Sequence, residues 1–349
     1  MEMESLLTMT PPDLAATISQ IGNTPLRAVY LNIDGVVRKL YLKLEGENPA
    51  GSVKDRTALA LIEHLEGLGR MTRDSVVIES TSGNLGVALA LICRARGYSF
   101  VAVVDPKATR ENVERMRAFG GTVVEVHEED ASGGYLLTRL RYVQETCHTS
   151  SRYVWTDQYS NAANPAAHYA YTGPEIYRQM NGLVDAVFVA VSTGGTLAGI
   201  GRFFRERSPA TRVIGVDAHG SVAFGGTPGP RHLTGIGSAQ RSIFLTREVY
   251  DEHLLIGDGE AFTFCRALDD ATGIRVGGSA GGVVAACARY LRAHREVERV
   301  VCLCADRGEN YSSTIYDDRW LERQGIRASP DSLPPYVRDI APHPAKIFA

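Results

Sequence analysis

From about residue 38 onward, short runs of β-branched residues alternate with longer stretches of helical periodicity, an order that few folds satisfy. Strands joined through helices lie parallel, because a helical crossover returns the chain to the same end of the sheet. The runs 39–44, 75–78, 99–104, 122–126, 186–191, 212–216 and 300–304 read as strands. The stretches 55–68, 85–96, 110–119, 135–147, 166–180, 197–206, 260–271 and 282–293 read as helices. The expected class is therefore α/β. The alternation breaks in the polar stretch 151–165, which marks a domain boundary, and then restarts. The irregular segment 219–259, rich in Gly and Pro in its first half, is too long for an idle connection and is expected to line the site. From Gln324 onward, Pro330, Pro334, Pro335, Pro342 and Pro344 describe an extended arm that packs on the body or on a neighbour.

A length of 349 residues exceeds one ordinary domain, and a composition 44% hydrophobic and 22% charged supplies a core and excludes disorder as the main state. Lysines and arginines are scattered and the net charge is -3, so no nucleic-acid surface is expected. No stretch is apolar for long enough to span a bilayer, and Glu2 and Glu4 at the start do not read as a secretory signal. The six cysteines lack CxxC or zinc spacing, which points to reduced thiols in a cytoplasmic protein with no structural metal.

Three Gly- and Ser-rich turns sit where a strand or loop feeds a helix. They are Ser80-Thr81-Ser82-Gly83-Asn84, Ser192-Thr193-Gly194-Gly195-Thr196 and Gly277-Gly278-Ser279-Ala280-Gly281. Backbone N–H groups and the helix dipole make such turns anion sites, although each alone is equally ordinary capping chemistry. Lys54 stands at a helix start, where a cation opposes the dipole. An exposed first-turn lysine is one reading. A Schiff-base lysine is the other, since burial and a positive helix end both favour the neutral, nucleophilic amine.

Taken together the motifs are more specific. Ile21-Gly22-Asn23-Thr24-Pro25-Leu26, Asn48-Pro49-Ala50-Gly51-Ser52-Val53-Lys54-Asp55-Arg56, the turn ending at Asn84, the segment 158–176 with Thr172-Gly173-Pro174-Glu175-Ile176, the turn 192–196, Pro228 to Gly237 and Gly277 to Gly282 occur in the order of one family. The chain resembles the cysteine synthase and cystathionine β-synthase family, the fold type II pyridoxal-phosphate enzymes, from Ile21 to about Tyr311. That resemblance implies two Rossmann-like three-layer domains, as in the tryptophan synthase β subunit, with pyridoxal 5'-phosphate in the cleft between them. It places a smaller mobile domain at 47–164, a larger cofactor domain at 12–46 plus 165–323, and a tail at 324–349. A homodimer is the family expectation. Lys54 is assigned the cofactor's aldehyde and the proton at the substrate α-carbon, and Asn84 the cofactor's 3-oxygen. Ser192, Thr193, Gly194, Gly195 and Thr196 are assigned the phosphate side, and Ser279 the pyridine nitrogen. Thr81, Ser82, Gly83, Asn84 and Gly237 are assigned the substrate. A neutral hydroxyl at the pyridine nitrogen does not force its protonation, which weakens the electron sink and favours loss of a β-leaving group and addition of a nucleophile.

The sequence departs from the sulfhydrylase pattern at Leu85, Tyr159 and Ser192, where Thr, Phe and Gly are usual. Local drift is one explanation. With Gly133-Gly134-Tyr135, Arg139 and Asp306-Arg307-Gly308, these residues resemble the siderophore- and antibiotic-pathway branch of the family. That branch joins O-phospho-L-serine to L-glutamate, giving N-(2-amino-2-carboxyethyl)-L-glutamate, a 2,3-diaminopropionate precursor. A phosphate and two carboxylates call for cations and strong donors, and Arg139, Tyr159, Ser192 and Arg231 are the candidates. For Arg139 a solvated helix position beside Arg141 remains the alternative. A cysteine or cysteate synthase would share every cofactor residue and differ only in nucleophile and leaving group, and a serine or threonine dehydratase would stop after loss of the β-substituent and release ammonia.

Overall fold

In the computed structural model, residues 9–130 and 134–343 are described. Glu2, Glu4, Gly133 and Pro344, named above, lie outside them. In chain order, α1 (Pro11–Ile18) precedes the strands β1 (Leu26–Ile33) and β2 (Val36–Leu44). Then follow α2 (Lys54–Gly67), β3 (Val76–Ser80), α3 (Asn84–Arg96), β4 (Ser99–Val104), α4 (Arg110–Ala118), β5 (Thr122–Glu125), α5 (Leu136–Thr149) and β6 (Tyr153–Trp155). The rest is α6 (Ala163–Ala167), α7 (Gly173–Gln179), β7 (Ala186–Ala190), α8 (Gly195–Arg207), β8 (Arg212–Ala218), β9 (Glu252–Ile256), α9 (Asp258–Thr272), α10 (Gly278–Ala293), β10 (Val300–Cys304), α11 (Asp318–Arg323) and β11 (Val337–Ala341).

The chain divides into two units. One comprises residues 1–23 and 48–167, the other 24–47 and 168–349. The first holds a four-stranded parallel sheet in the order β5-β4-β3-β6. Its β3 is buried at every position, as a strand covered by helices on both faces must be. Its core gathers Leu61, Ile62, Val77, Leu89, Phe100 and Phe119.

The second unit holds a seven-stranded sheet, β11-β1-β2-β10-β7-β8-β9, parallel from β2 to β9 and antiparallel at β11-β1-β2. Here α9 lies against α10 over the continuous apolar run of β10. The α/β class expected from the alternation is borne out. Four strands lie outside the expected set. β1 precedes the first expected strand and forms a hairpin with β2 through Asp34-Gly35, both at positive φ, a turn that matches the twist of its strands. β6 has only three residues, β9 crosses the segment 219–259, and β11 belongs to the arm.

The expected helix 166–180 is in fact α6, a π-turn at His168–Thr172 and α7. All six cysteines are free. Burial pushes the thiols of Cys93, Cys265, Cys302 and Cys304 up, away from the reactive thiolate. Among the described residues no helix is long and apolar enough to cross a membrane.

Candidate active site

In parallel α/β sheets the loops that leave the carboxyl ends of strands carry the chemistry. In the first unit that rule selects the turn from β3 into α3. Asn84 is the first residue of α3 and Lys54 the first of α2, both half-buried at the positive ends of their helices. Thr81 is pinned at both ends: its N–H donates to the Val103 carbonyl at 3.0 Å and its hydroxyl accepts from Gly86 N–H at 3.0 Å.

Ser82 and Arg139 are brought together. Arg139 Nη1 donates to Ser82 Oγ at 2.8 Å, and Ser82 Oγ donates to Asp105 Oδ2 at 3.0 Å. Arg139 Nε lies 3.1 Å from the same Asp105 oxygen without aiming its N–H at it. The guanidinium is 12% exposed and faces a carboxylate that is itself 8% exposed, so it is no solvated helix position. Asp105 is a site residue that the motifs do not reveal. Its signal is positional, since it directly follows β4 at the same sheet edge as the turn. Among the described residues Arg139 bonds to Ser82 and Asp105, and no hydrogen bond or ion pair joins it to Tyr159.

Tyr159 is half-buried on the loop after β6, beside Gln158, whose Nε2 donates to the Ser80 carbonyl at 3.1 Å. That bond places Gln158 at the turn, although no assignment above singles it out. Glu79, also buried, accepts from both loops. Burial pushes its carboxyl up to about 7, helped by the negative charge of Asp157 and opposed by the hydrogen bonds from Thr156, Trp155 and Gln158.

In the second unit, β7 feeds the turn 192–196 and α8. Gly194 caps the helix at φ 88°, a left-handed conformation, and a Cβ there would fall 2.2 Å from Ser242 Oγ. Ser242 Oγ in turn donates to the Thr193 carbonyl at 2.6 Å, so the segment 219–259 underlies the turn. Gly237 belongs to that segment, and its N–H donates to the Val191 carbonyl at 2.6 Å. Arg231 Nη1 donates to the Gly220 carbonyl at 2.9 Å, an anchor within the segment. Ser192 is half-buried, whereas Thr193 and Thr196 are buried. His168 lies 3.2 Å by Nε2 from Thr196 Oγ1 and 2.9 Å by Nδ1 from Thr172 Oγ1. A buried histidine at a π-turn thus supports a hydroxyl of the turn, a role hidden inside an ordinary helical period. Ser279, the second residue of α10, is buried, and among the described residues its hydroxyl makes no hydrogen bond.

This donor set fits pyridoxal phosphate. The turn 192–196 offers a dianion the N–H groups of a helix start and two buried hydroxyls, and it keeps glycine at 194, where a Cβ would collide with Ser242. Ser279 offers a neutral hydroxyl to a ring nitrogen, and Lys54 offers an amine to an aldehyde. Among the described residues no group of three or more His, Cys, Asp or Glu could hold a metal ion.

Comparison with known proteins agrees. The pyridoxal-phosphate dependent enzyme family matches residues 18–306. The chain is 42% identical over 303 residues to N-(2-amino-2-carboxyethyl)-L-glutamate synthase of Ralstonia nicotianae, covering 87% of this chain and 90% of that relative. It is likewise 42% identical over 320 residues to the protein of the same name from Cupriavidus metallidurans, covering 90% of this chain and 94% of the relative. Among solved structures, O-acetylserine dependent cystathionine beta-synthase from Helicobacter pylori superposes with a TM-score of 0.78 at 32% identity, covering 86% of this chain and 98% of its own.

Proposed function

Because this chain belongs to the pyridoxal-phosphate dependent enzyme family, we propose that it joins the β-carbon of O-phospho-L-serine to the amino nitrogen of L-glutamate. Phosphate leaves and N-(2-amino-2-carboxyethyl)-L-glutamate is formed. What carries this reading is the likeness to two synthases of that product over nearly the whole chain. Arg139, a cation seated on the loop 81–83, suits a phosphate or dicarboxylate partner.

The cofactor is pyridoxal 5'-phosphate. When bound it withdraws electrons from the substrate α-carbon, so that a β-substituent can depart and a nucleophile can take its place. Lys54 supplies the amine that takes the cofactor's aldehyde, and it removes and returns the proton at the α-carbon. Thr193, Gly194, Gly195 and Thr196 hold the phosphate group, Asn84 the 3-oxygen, and Ser279 the ring nitrogen. Thr81 and the loop amides hold the substrate α-carboxylate. Ser82, tied to Asp105 and Arg139, relays the position of the guanidinium to that loop. A homodimer completes the proposal, on the family resemblance.

The test uses purified holoenzyme. O-phospho-L-serine is added, the cofactor spectrum followed, and glutamate, sulfide or sulfite then supplied in turn. Glutamate alone should restore the resting spectrum and yield a coupled amino acid by mass spectrometry. Restoration by a sulfur nucleophile alone would make the protein a cysteine or cysteate synthase and leave Tyr159 and Ser192 as drift. Lys54→Ala should abolish turnover, and a variant with full turnover would end the mechanism.

A further inference from the structure

Behind the turn 80–84 stands a side chain that no step above uses. Glu79 is fully buried, and its strand neighbours Val77 and Ile78 show that an apolar residue is at home at that depth. A carboxylate there is costly unless its lone pairs are filled. They are filled by four donors. Oε1 accepts from Ser80 N–H at 2.8 Å and Trp155 Nε1–H at 3.2 Å. Oε2 accepts from the Thr156 hydroxyl at 2.5 Å and Gln158 N–H at 3.1 Å.

The placement explains the arrangement. The ladder between β3 and β6 ends at Ile78 opposite Trp155, and Glu79 is the next residue. Where backbone pairing stops, the carboxylate takes over and ties the turn that carries Thr81 and Ser82 to the loop that carries Gln158 and Tyr159. Gln158 closes the link from the other side through the Ser80 carbonyl, at 3.1 Å.

We propose that Glu79 is a positioning residue for the amino-acid substrate, locking the loops 80–84 and 156–159 into a single surface that receives the α-carboxylate. The proposal rests on the reading of the turn 81–84 as the carboxylate loop. It does not depend on which group leaves the β-carbon.

The test is Glu79→Gln, which keeps the volume and turns an NH2 donor toward groups that themselves donate, together with Thr156→Val, which removes a single donor. Holoenzyme is titrated with O-phospho-L-serine and, separately, with O-acetyl-L-serine, and the dissociation constant is read from the absorbance of the bound cofactor. For Glu79→Gln the constant should rise about ten-fold, with kcat at saturation lowered less than about three-fold and cofactor content equal to wild type. For Thr156→Val it should rise about three-fold, again with full cofactor. If Glu79→Gln does not fold, Thr156→Val decides. Unchanged constants overturn the proposal, and so does loss of cofactor in step with loss of affinity, because Glu79 would then only support the fold. A wild-type enzyme that answers O-acetyl-L-serine but not O-phospho-L-serine would overturn the phosphoserine reading instead, and the brace is then judged on O-acetyl-L-serine.

Discussion

Lys43 is fully buried in β2, and its ammonium donates to the Thr24 carbonyl at 2.7 Å, to Glu175 at 2.9 Å and to Gln179 Oε1 at 3.0 Å. Thr24 also donates by its hydroxyl to Glu45 at 2.7 Å. Two motifs that read as family signatures, around Thr24 and around Glu175, are thus joined by one buried cation. Lys43→Met takes the buried ammonium away from Glu175 and should lower stability by about 3–5 kcal/mol, read as a fall in the urea midpoint. Adding Glu175→Met should recover most of that loss. At the site, Arg139→Ala removes a charge-assisted bond to Ser82 and leaves Asp105 without its cation. The KM for O-phospho-L-serine or glutamate should rise about ten- to hundred-fold, in line with a bond worth about 1.5–3 kcal/mol. Steady-state constants unchanged for both substrates would remove Arg139 from the site.

At the scale of elements, the Gly277 to Gly282 run serves two purposes. It opens α10, with Ser279 as the second residue, and it also lets α10 approach α9. A Cβ on Gly281 would sit 2.2 Å from the Ala261 carbonyl oxygen and 2.4 Å from Cys265 Sγ, whereas one on Gly282 meets nothing closer than 3.5 Å. Gly281→Ala should therefore cost about 1–3 kcal/mol by overpacking and lower the thermal midpoint, with Gly282→Ala nearly silent. A glycine-rich turn announces an anion site by its local chemistry, but the helix that faces Gly281 is not encoded within the motif. The hairpin of β1 and β2 is the opposite case. Its Asp34-Gly35 turn is a local signal. The antiparallel pair was hidden only because the parallel alternation begins after it.

At the scale of the molecule, the arm beyond α11 packs on the body of the second unit. β11 pairs antiparallel with β1 at the edge of the seven-stranded sheet and buries Val337, Ile340 and Ala341. Removing residues 324–349 should uncover the edge of β1, lower the thermal midpoint and increase light scattering on standing.

The α/β class is determined by the sequence alone through its strand and helix periods, and the cofactor and its family of reactions through the resemblance that its short motifs carry in their order, because both rest on short-range pattern. Only the tertiary structure decides which charge answers which. Arg139 is paired with Asp105, Lys43 with Glu175, and Glu79 with four donors from the ends of two strands and the loop after β6. Glu79 and Trp155 are 76 residues apart, and Lys43 and Glu175 are 132 apart. Such partners leave no period and no spacing in the chain. They exist only once parallel strands, each returned by a helix, have brought their carboxyl ends to one edge of a sheet.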